Sequence, residues 1–145
     1  MQTNPLAWSR MRALSVVLAL LVTACSKPPM PGDLKIVDIT TGRSLAPDGT
    51  IVEDTRTNMY WTTDTFYVSV KTEGSAQNVV MKARWSGPEG AKAEMVKTIS
   101  PSGATVTAFE APPPQDKDGR WPAGDYKVEI LVNDGVQGTR ELNAR

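Results

Sequence analysis

Apolar and polar residues alternate with a period of two along most of the chain after residue 33. In Asp125–Val132, for example, Tyr126, Val128 and Ile130 alternate with mostly charged neighbours. Such alternation is typical of β-strands that bury one face, and no segment shows a sustained helical period. Residues that favour turns separate the runs. The pattern predicts strands at Leu34–Thr40, Thr65–Thr72, Asn78–Trp85, Ala93–Ile99, Thr105–Glu110, Asp125–Val132 and Val136–Leu142.

The last two of these strands are joined by Asn133-Asp134-Gly135, whose residue types tolerate the positive φ of a tight hairpin turn. About seven short strands at this spacing favour two antiparallel sheets packed face to face. The sequence therefore predicts an all-β, two-sheet sandwich.

A separate apolar run, Ala13–Val22, precedes the β-rich region. Its ten residues are too few for a helix that crosses a bilayer, which needs about 20. Arg10 and Arg12 stand before the run, and no acidic residue does. A short apolar run behind basic residues is typical of a secretory signal peptide.

The segment Val22-Thr23-Ala24-Cys25 places an aliphatic residue and two small residues before the one cysteine of the chain. It resembles the lipobox of bacterial lipoproteins. The resemblance implies cleavage after Ala24, attachment of diacylglycerol to the Cys25 thiol, and acylation of the new amino group, as with palmitate. Two or more acyl chains give stable membrane anchoring. Ser26, where the family's inner-membrane signal has Asp, implies sorting to the outer membrane. The alternative is an ordinary signal peptide followed by an incidental cysteine.

The chain thus divides into three parts. Residues 1–24 are the expected signal peptide, residues 25–33 the lipidated Cys25 with a Pro-rich tether, and residues 34–145 the β-sandwich domain. Prolines favour the extended polyproline conformation, so we expect a semi-rigid spacer that keeps the domain within about 25 Å of the membrane.

Two aromatic residues allow a more specific prediction of the type of sandwich. Trp85 ends an alternating strand in the middle of the chain, and Gly124-Asp125-Tyr126 leads into another strand. These features resemble the inter-sheet Trp and the tyrosine corner of immunoglobulin-like domains. The resemblance implies that Trp85 fills the space between the sheets and that the Tyr126 hydroxyl bonds to nearby upstream backbone. The cysteine pair of antibody domains is absent, so no antibody-type role is implied.

The amino-acid composition argues against several classes of function. The chain has no histidine, one cysteine, and 16 basic against 16 acidic residues. Neither a Ser-His-Asp or Cys-His catalytic group nor a His-ligated metal site can be built from it. Zero net charge argues against nucleic-acid binding, which needs a clustered basic surface. We therefore expect no catalytic activity, no cofactor and no metal.

The best candidate for an interaction patch is the aromatic pair Tyr60 and Trp61, which stands beside polar groups just before a strand. Exposed aromatic rings anchor protein partners and can stack on sugar rings. Because neighbours in a strand point to opposite faces, at most one of the pair should be buried. Trp121 could belong to the same surface, although a place in the core fits it better.

Three weaker candidates have simpler explanations. Asp116–Gly119 begins like a calcium loop but lacks the later ligands, so a solvated turn explains it better. Ala111–Gln115 contains a proline run that could bind a polyproline-recognising groove, but proline runs also end strands. A carboxylate-only glycosidase needs two acids at a set separation across a cleft, and no acid here stands in an apolar context.

The sequence therefore predicts an envelope lipoprotein with two partners: a lipid membrane, through acylated Cys25, and an envelope protein. In this hypothesis the domain is a non-catalytic protein-binding or assembly module. The alternative hypothesis is a glycan-binding lipoprotein that contacts peptidoglycan or surface polysaccharide.

Overall fold

The structure, a computed structural model, describes residues 27–145. It is built almost entirely of strands, with three short 3-10 turns between them. The strands are β1 Lys35–Gly42, β2 Met59–Tyr60, β3 Phe66–Glu73, β4 Val79–Ser86, β5 Lys92–Ile99, β6 Thr105–Ala111, β7 Gly124–Val132 and β8 Gly135–Ala144. Within this part of the chain no helix is long and apolar enough to cross a bilayer.

The strands form two sheets, as predicted. The smaller sheet has the order β1-β3-β6, and the larger has the order β2-β8-β7-β4-β5. This is the arrangement of an immunoglobulin-like sandwich, with β1, β3 and β6 facing β4, β7 and β8. The seven predicted strands are all present. An eighth, β2, was not predicted, and it pairs with β8 in parallel rather than antiparallel.

The core lies between the sheets and consists of the alternate residues that point inward. In β4, Val79, Met81, Ala83 and Trp85 are almost completely buried, while the residues between them are partly exposed. Trp85 is 1% exposed, as expected for an inter-sheet tryptophan. Its indole N–H has no hydrogen-bond partner among the described residues. Trp85 therefore contributes through packing alone.

The tyrosine corner is also present. The Tyr126 hydroxyl donates a hydrogen bond of 2.6 Å to the carbonyl oxygen of Pro122, four residues upstream. A Cβ atom at position 87 would stand 2.2 Å from the Tyr126 ring, so only glycine fits there. Burial, followed by the charge of Glu89, raises the pKa of Tyr126 to about 12.

The two ends of the sandwich carry different loops. The proximal end has the turns after β3, β5 and β7, residues 74–78, 100–104 and 133–134. The distal end has the loops 43–58, 61–65, 87–91 and 112–123. The antiparallel register fixes this division, because Lys35 at the start of β1 lies opposite Glu73 at the end of β3.

Part of the expected tether, residues 28–33, makes contacts with the proximal end. The carbonyl oxygen of Pro28 accepts a 2.9 Å hydrogen bond from Nε2 of Gln137. Met30 lies against the core, and Oδ1 of Asp33 accepts a 2.6 Å hydrogen bond from the backbone N–H of Ser75. These non-local contacts outweigh the local preference of the prolines for a free extended spacer.

The side of the sandwich at β5 and β6 is protected by a lysine that points inward. Lys97 of β5 donates from Nζ to the carbonyl oxygen of Ala108 at 2.5 Å and lies 5.5 Å from the centroid of the Phe109 ring. Inward-pointing charges on edge strands disfavour the addition of a foreign strand. This location argues against β5 as the main interaction surface.

Candidate functional site

The predicted aromatic pair lies at the distal end, and its two members point in opposite directions. Tyr60 is 1% exposed, whereas Trp61 is 56% exposed. Tyr60 packs edge-on against Phe66 with ring centroids 4.7 Å apart. Tyr60 therefore belongs to the core and not to an interaction patch, because its position in β2 directs it between the sheets.

Burial shapes the chemistry of Tyr60 as well. Its hydroxyl lies 3.1 Å from the carbonyl oxygen of Gly42 and 3.3 Å from that of Thr57, within reach of donation to either. Burial raises the pKa of Tyr60 to about 12, because the low-dielectric surroundings disfavour the phenolate. These contacts tie β2 to the end of β1.

Trp61 stands on a tight turn that Asp64 holds in place. The Trp61 backbone N–H donates to Oδ2 of Asp64 at 2.8 Å, and the Asp64 N–H donates to the Trp61 carbonyl at 3.0 Å. The same Asp64 carboxylate lies 3.1 Å from the guanidinium of Arg43. The Trp61 backbone is therefore fixed before any partner arrives, which lowers the entropic cost of binding.

Trp121 supports this turn from beneath. Its indole N–H donates to the carbonyl of Asp64 at 3.1 Å, and its backbone N–H donates to the carbonyl of Thr62 at 2.7 Å. The ring is 3% exposed and stacks on Phe66 at 4.7 Å with an interplanar angle of 8°. Trp121 is thus a core residue that positions the turn, in agreement with the place in the core that the sequence favours.

We define the Trp61 patch as Trp61 with two exposed neighbours, Met59 and Arg145. Met59 is 39% exposed and precedes Trp61 by two residues, on the same side of the chain as Trp61 and opposite Tyr60. The Arg145 guanidinium lies 5.8 Å from the centroid of the Trp61 ring, within cation–π range. The patch therefore combines a thioether, an indole and a guanidinium.

Sequence reasoning missed Met59, Arg43 and Arg145. The alternation that separates Tyr60 from Trp61 also puts Met59 beside Trp61, so Met59 could have been found. Arg145 is brought to Trp61 by the parallel pairing of β2 with β8, in which Tyr60 lies opposite Ala144. That non-local pairing leaves no mark on the local pattern.

The weaker candidates lie in the loop between β6 and β7. The proline run follows the end of β6, and Asp116–Gly119 forms an exposed turn with Asp118 in the left-handed region at φ 56°. In residues 27–145 no group of three or more Cys, Asp or Glu side chains is arranged to hold a metal ion. Cys25, the predicted lipid attachment site, lies outside the described residues.

The larger sheet has two shallow clefts on its outer face, of about 490 and 550 Å³. Several carboxylates line these clefts. One of them, Glu129, is paired with two cations and lies 3.5 Å from Arg84 and 3.4 Å from Lys127. The two cations are about half exposed, and ion pairs with solvated partners contribute little energy. The expected absence of catalysis stays a prediction.

No protein-family model matches the chain, and a search of curated proteins gives no match. Solved structures do resemble it. The C-terminal domain of wzt gives a TM-score of 0.52 at 15% identity, covering 79% of this chain and 74% of that one. The Pseudomonas fluorescens alkylpurine DNA glycosylase AlkC, solved bound to DNA containing an abasic site analog, gives a TM-score of 0.51 at 17% identity. That match covers 79% of this chain and 31% of the glycosylase. At these identities the likeness establishes the fold alone, and the chain has the β-sandwich fold that its sequence predicts.

Proposed function

We propose that this protein is a membrane-anchored envelope lipoprotein that acts as a non-catalytic protein-binding or assembly module. The lipobox-like segment ending at Cys25 supports the anchor, and its Ser26 supports the outer membrane as the location. The Trp61 patch supports the binding role. The observation that carries the proposal is the 56% exposure of Trp61 on a turn held by Asp64.

The composition of the patch favours a protein partner. Trp and Arg are the residue types most enriched at the energetic centres of protein interfaces, and Met is also enriched there. Arg145 and Trp61 are already in contact, so the patch offers a preformed apolar and cationic surface. A matching partner surface would present an apolar pocket rimmed by acidic groups.

Glycan binding is the second candidate, because the exposed indole of Trp61 could stack on a sugar ring. Arg43 and Asp64 stand nearby as hydrogen-bonding groups. Stacking needs a free aromatic face, however, and Arg145 takes one face of the Trp61 ring. A protein partner is favoured over a glycan by the composition of the patch, because Met, Trp and Arg together are typical of protein interfaces.

Photocrosslinking in intact cells tests the proposal. A photoreactive amino acid replaces Trp61 in one variant and Val96 in a control variant. Val96 is 49% exposed but stands on β5, outside the patch. We expect position 61 to capture one abundant envelope protein that position 96 does not capture, identified by mass spectrometry.

Each other outcome contradicts the proposal. A heterogeneous product from position 61 that glycan-cleaving enzymes remove would favour the glycan-binding alternative. Equal products from positions 61 and 96, or no product from position 61, would show that the Trp61 patch has no specific protein partner. Trp61→Ala controls for folding: an exposed residue can be truncated with little effect on the fold, so this variant should remain folded.

A further inference from the structure

The packing of residues 28–34 fixes where any anchor joins the domain. Leu34 is 2% exposed, and a Cβ atom on Gly135 would lie 2.6 Å from Cβ of Pro28. The amide of Gln137, itself 4% exposed, bonds to the Pro28 carbonyl. This segment therefore contacts the proximal end of the sandwich from Pro28 onward.

Little chain is left between the domain and Cys25. Three residue steps separate Cys25 from Pro28, and an extended chain covers at most about 3.6 Å per residue, or about 11 Å in all. A lipid on Cys25 must therefore hold Pro28, and with it the proximal end, close to the membrane surface. The sequence alone predicted a spacer more than twice as long.

The proximal end is also suited to lipid headgroups by its chemistry. Its turns, residues 74–78, 100–104 and 133–134, contain one charged residue, Asp134, and the adjoining segment 28–34 adds a second, Asp33. Ser, Asn and Gln provide hydrogen-bonding groups there. The outer face of the larger sheet is charged instead, with ion pairs such as Lys82–Glu94 at 3.5 Å. Pressing that face against lipid would remove water from its charges, which is costly.

We infer that the domain stands on end on a lipid surface, with the proximal end against the headgroups and the Trp61 patch facing away. The inference rests on the lipid anchor of the proposed function. The eight residues of β3 run from one end of the sandwich to the other, so the patch lies about 23 Å farther from the lipid than the proximal end. The partner of the patch must therefore reach it from above the headgroup layer.

Fluorescence quenching by lipid tests this orientation. The full chain is made with Ser102→Cys at the proximal end or Thr63→Cys at the distal end, both exposed positions. Acylated Cys25 has no free thiol, so a thiol-reactive fluorophore labels only the new cysteine. Each labelled lipoprotein is reconstituted in vesicles that carry a quencher on the lipid headgroup.

We expect strong quenching of the label at residue 102 and little quenching at residue 63. Labelled Cys25→Ala controls, in which the new cysteine is the only one, should show no quenching at either position. A flexible Gly-Ser insert after Lys27 should reduce quenching at residue 102, because it frees the proximal end from the surface.

The outcomes separate the orientation from the anchor. Vesicle flotation reports the anchor, and a lipoprotein that does not float would overturn the proposed function together with this inference. Flotation with equal quenching at both positions, or with stronger quenching at residue 63, would overturn the orientation alone. Quenching at residue 102 that the Gly-Ser insert leaves unchanged would likewise refute the role of the short connection.

Discussion

The tyrosine corner gives the sharpest stability prediction, made with Tyr126→Phe in a chain comprising residues 27–145. The substitution removes one oxygen and leaves the ring, whose contacts with Phe66 and Trp121 have centroid distances of 5.3 and 5.7 Å. The loss is therefore confined to the 2.6 Å hydrogen bond from the Tyr126 hydroxyl to the Pro122 carbonyl. Pro122 is partly exposed, so water can replace part of that bond.

We expect the free energy of unfolding to fall by about 1–2 kcal/mol, the usual cost of leaving a partly buried polar group without its partner. In urea the unfolding midpoint should fall by roughly 0.5–1.5 M, and the melting temperature should fall by about 4–8 °C. Tryptophan fluorescence suits the measurement, because Trp85 and Trp121 are both buried in the fold.

Tyr67→Phe is the matched control. Tyr67 is partly exposed, and its hydroxyl makes no hydrogen bond to another described residue, so removal of that oxygen should change the midpoint little. A cost of less than about 0.5 kcal/mol for Tyr126→Phe would refute the prediction, because the hydrogen bond would then contribute nothing beyond what water supplies. Equal losses of stability in the two variants would also refute it.

Three further predictions concern other sites. Trp85→Ala should lower the free energy of unfolding in urea by about 3–5 kcal/mol, because it leaves a cavity. Trp85→Phe should lower it clearly less, because the indole N–H has no partner to lose among the described residues, and equal losses would contradict packing as the role of Trp85. Folding raises the pKa of Tyr60 from 10 to about 12, so the neutral hydroxyl stabilises the fold by about 2–3 kcal/mol below pH 10, and this contribution is lost as the pH rises through 12. Over that interval the urea midpoint of Tyr60→Phe should therefore fall less than that of the unmodified chain, and parallel curves would refute this. Cys25→Ala should leave the domain folded and release it from membranes, which cell fractionation would show; an unchanged membrane fraction would contradict the lipid anchor.

The strands that the sequence predicted are those whose evidence is local. Period-two alternation depends only on which face of a strand is buried, and it located β4 and β7 to within one residue of the observed bounds. The places of Trp85 and Tyr126 followed from the same pattern together with the resemblance to immunoglobulin-like domains. Both are confirmed by the burial of the ring and the hydrogen bond of the hydroxyl.

The features that were missed depend on contacts between distant parts of the chain. The two-residue strand β2 is too short to show a period, and it exists because β8 supplies its partner. Loop 43–58 has mixed polarity, yet Ile51 within it is 7% exposed. For the candidate site, alternation required one of Tyr60 and Trp61 to face outward but could not say which one. The choice depends on the register of β2 against β8.

The course of β1 determines how the domain responds to mechanical load. Its first residue, Lys35, lies at the proximal end, and β1 pairs with β3 along its length up to Gly42 opposite Tyr67. A pull applied through Pro28 and resisted at the distal end acts along these strands, perpendicular to the hydrogen bonds between them. The bonds are then loaded together in shear instead of being opened one after another. The sheet therefore resists tension along this axis more strongly than tension that opens its hydrogen bonds one at a time.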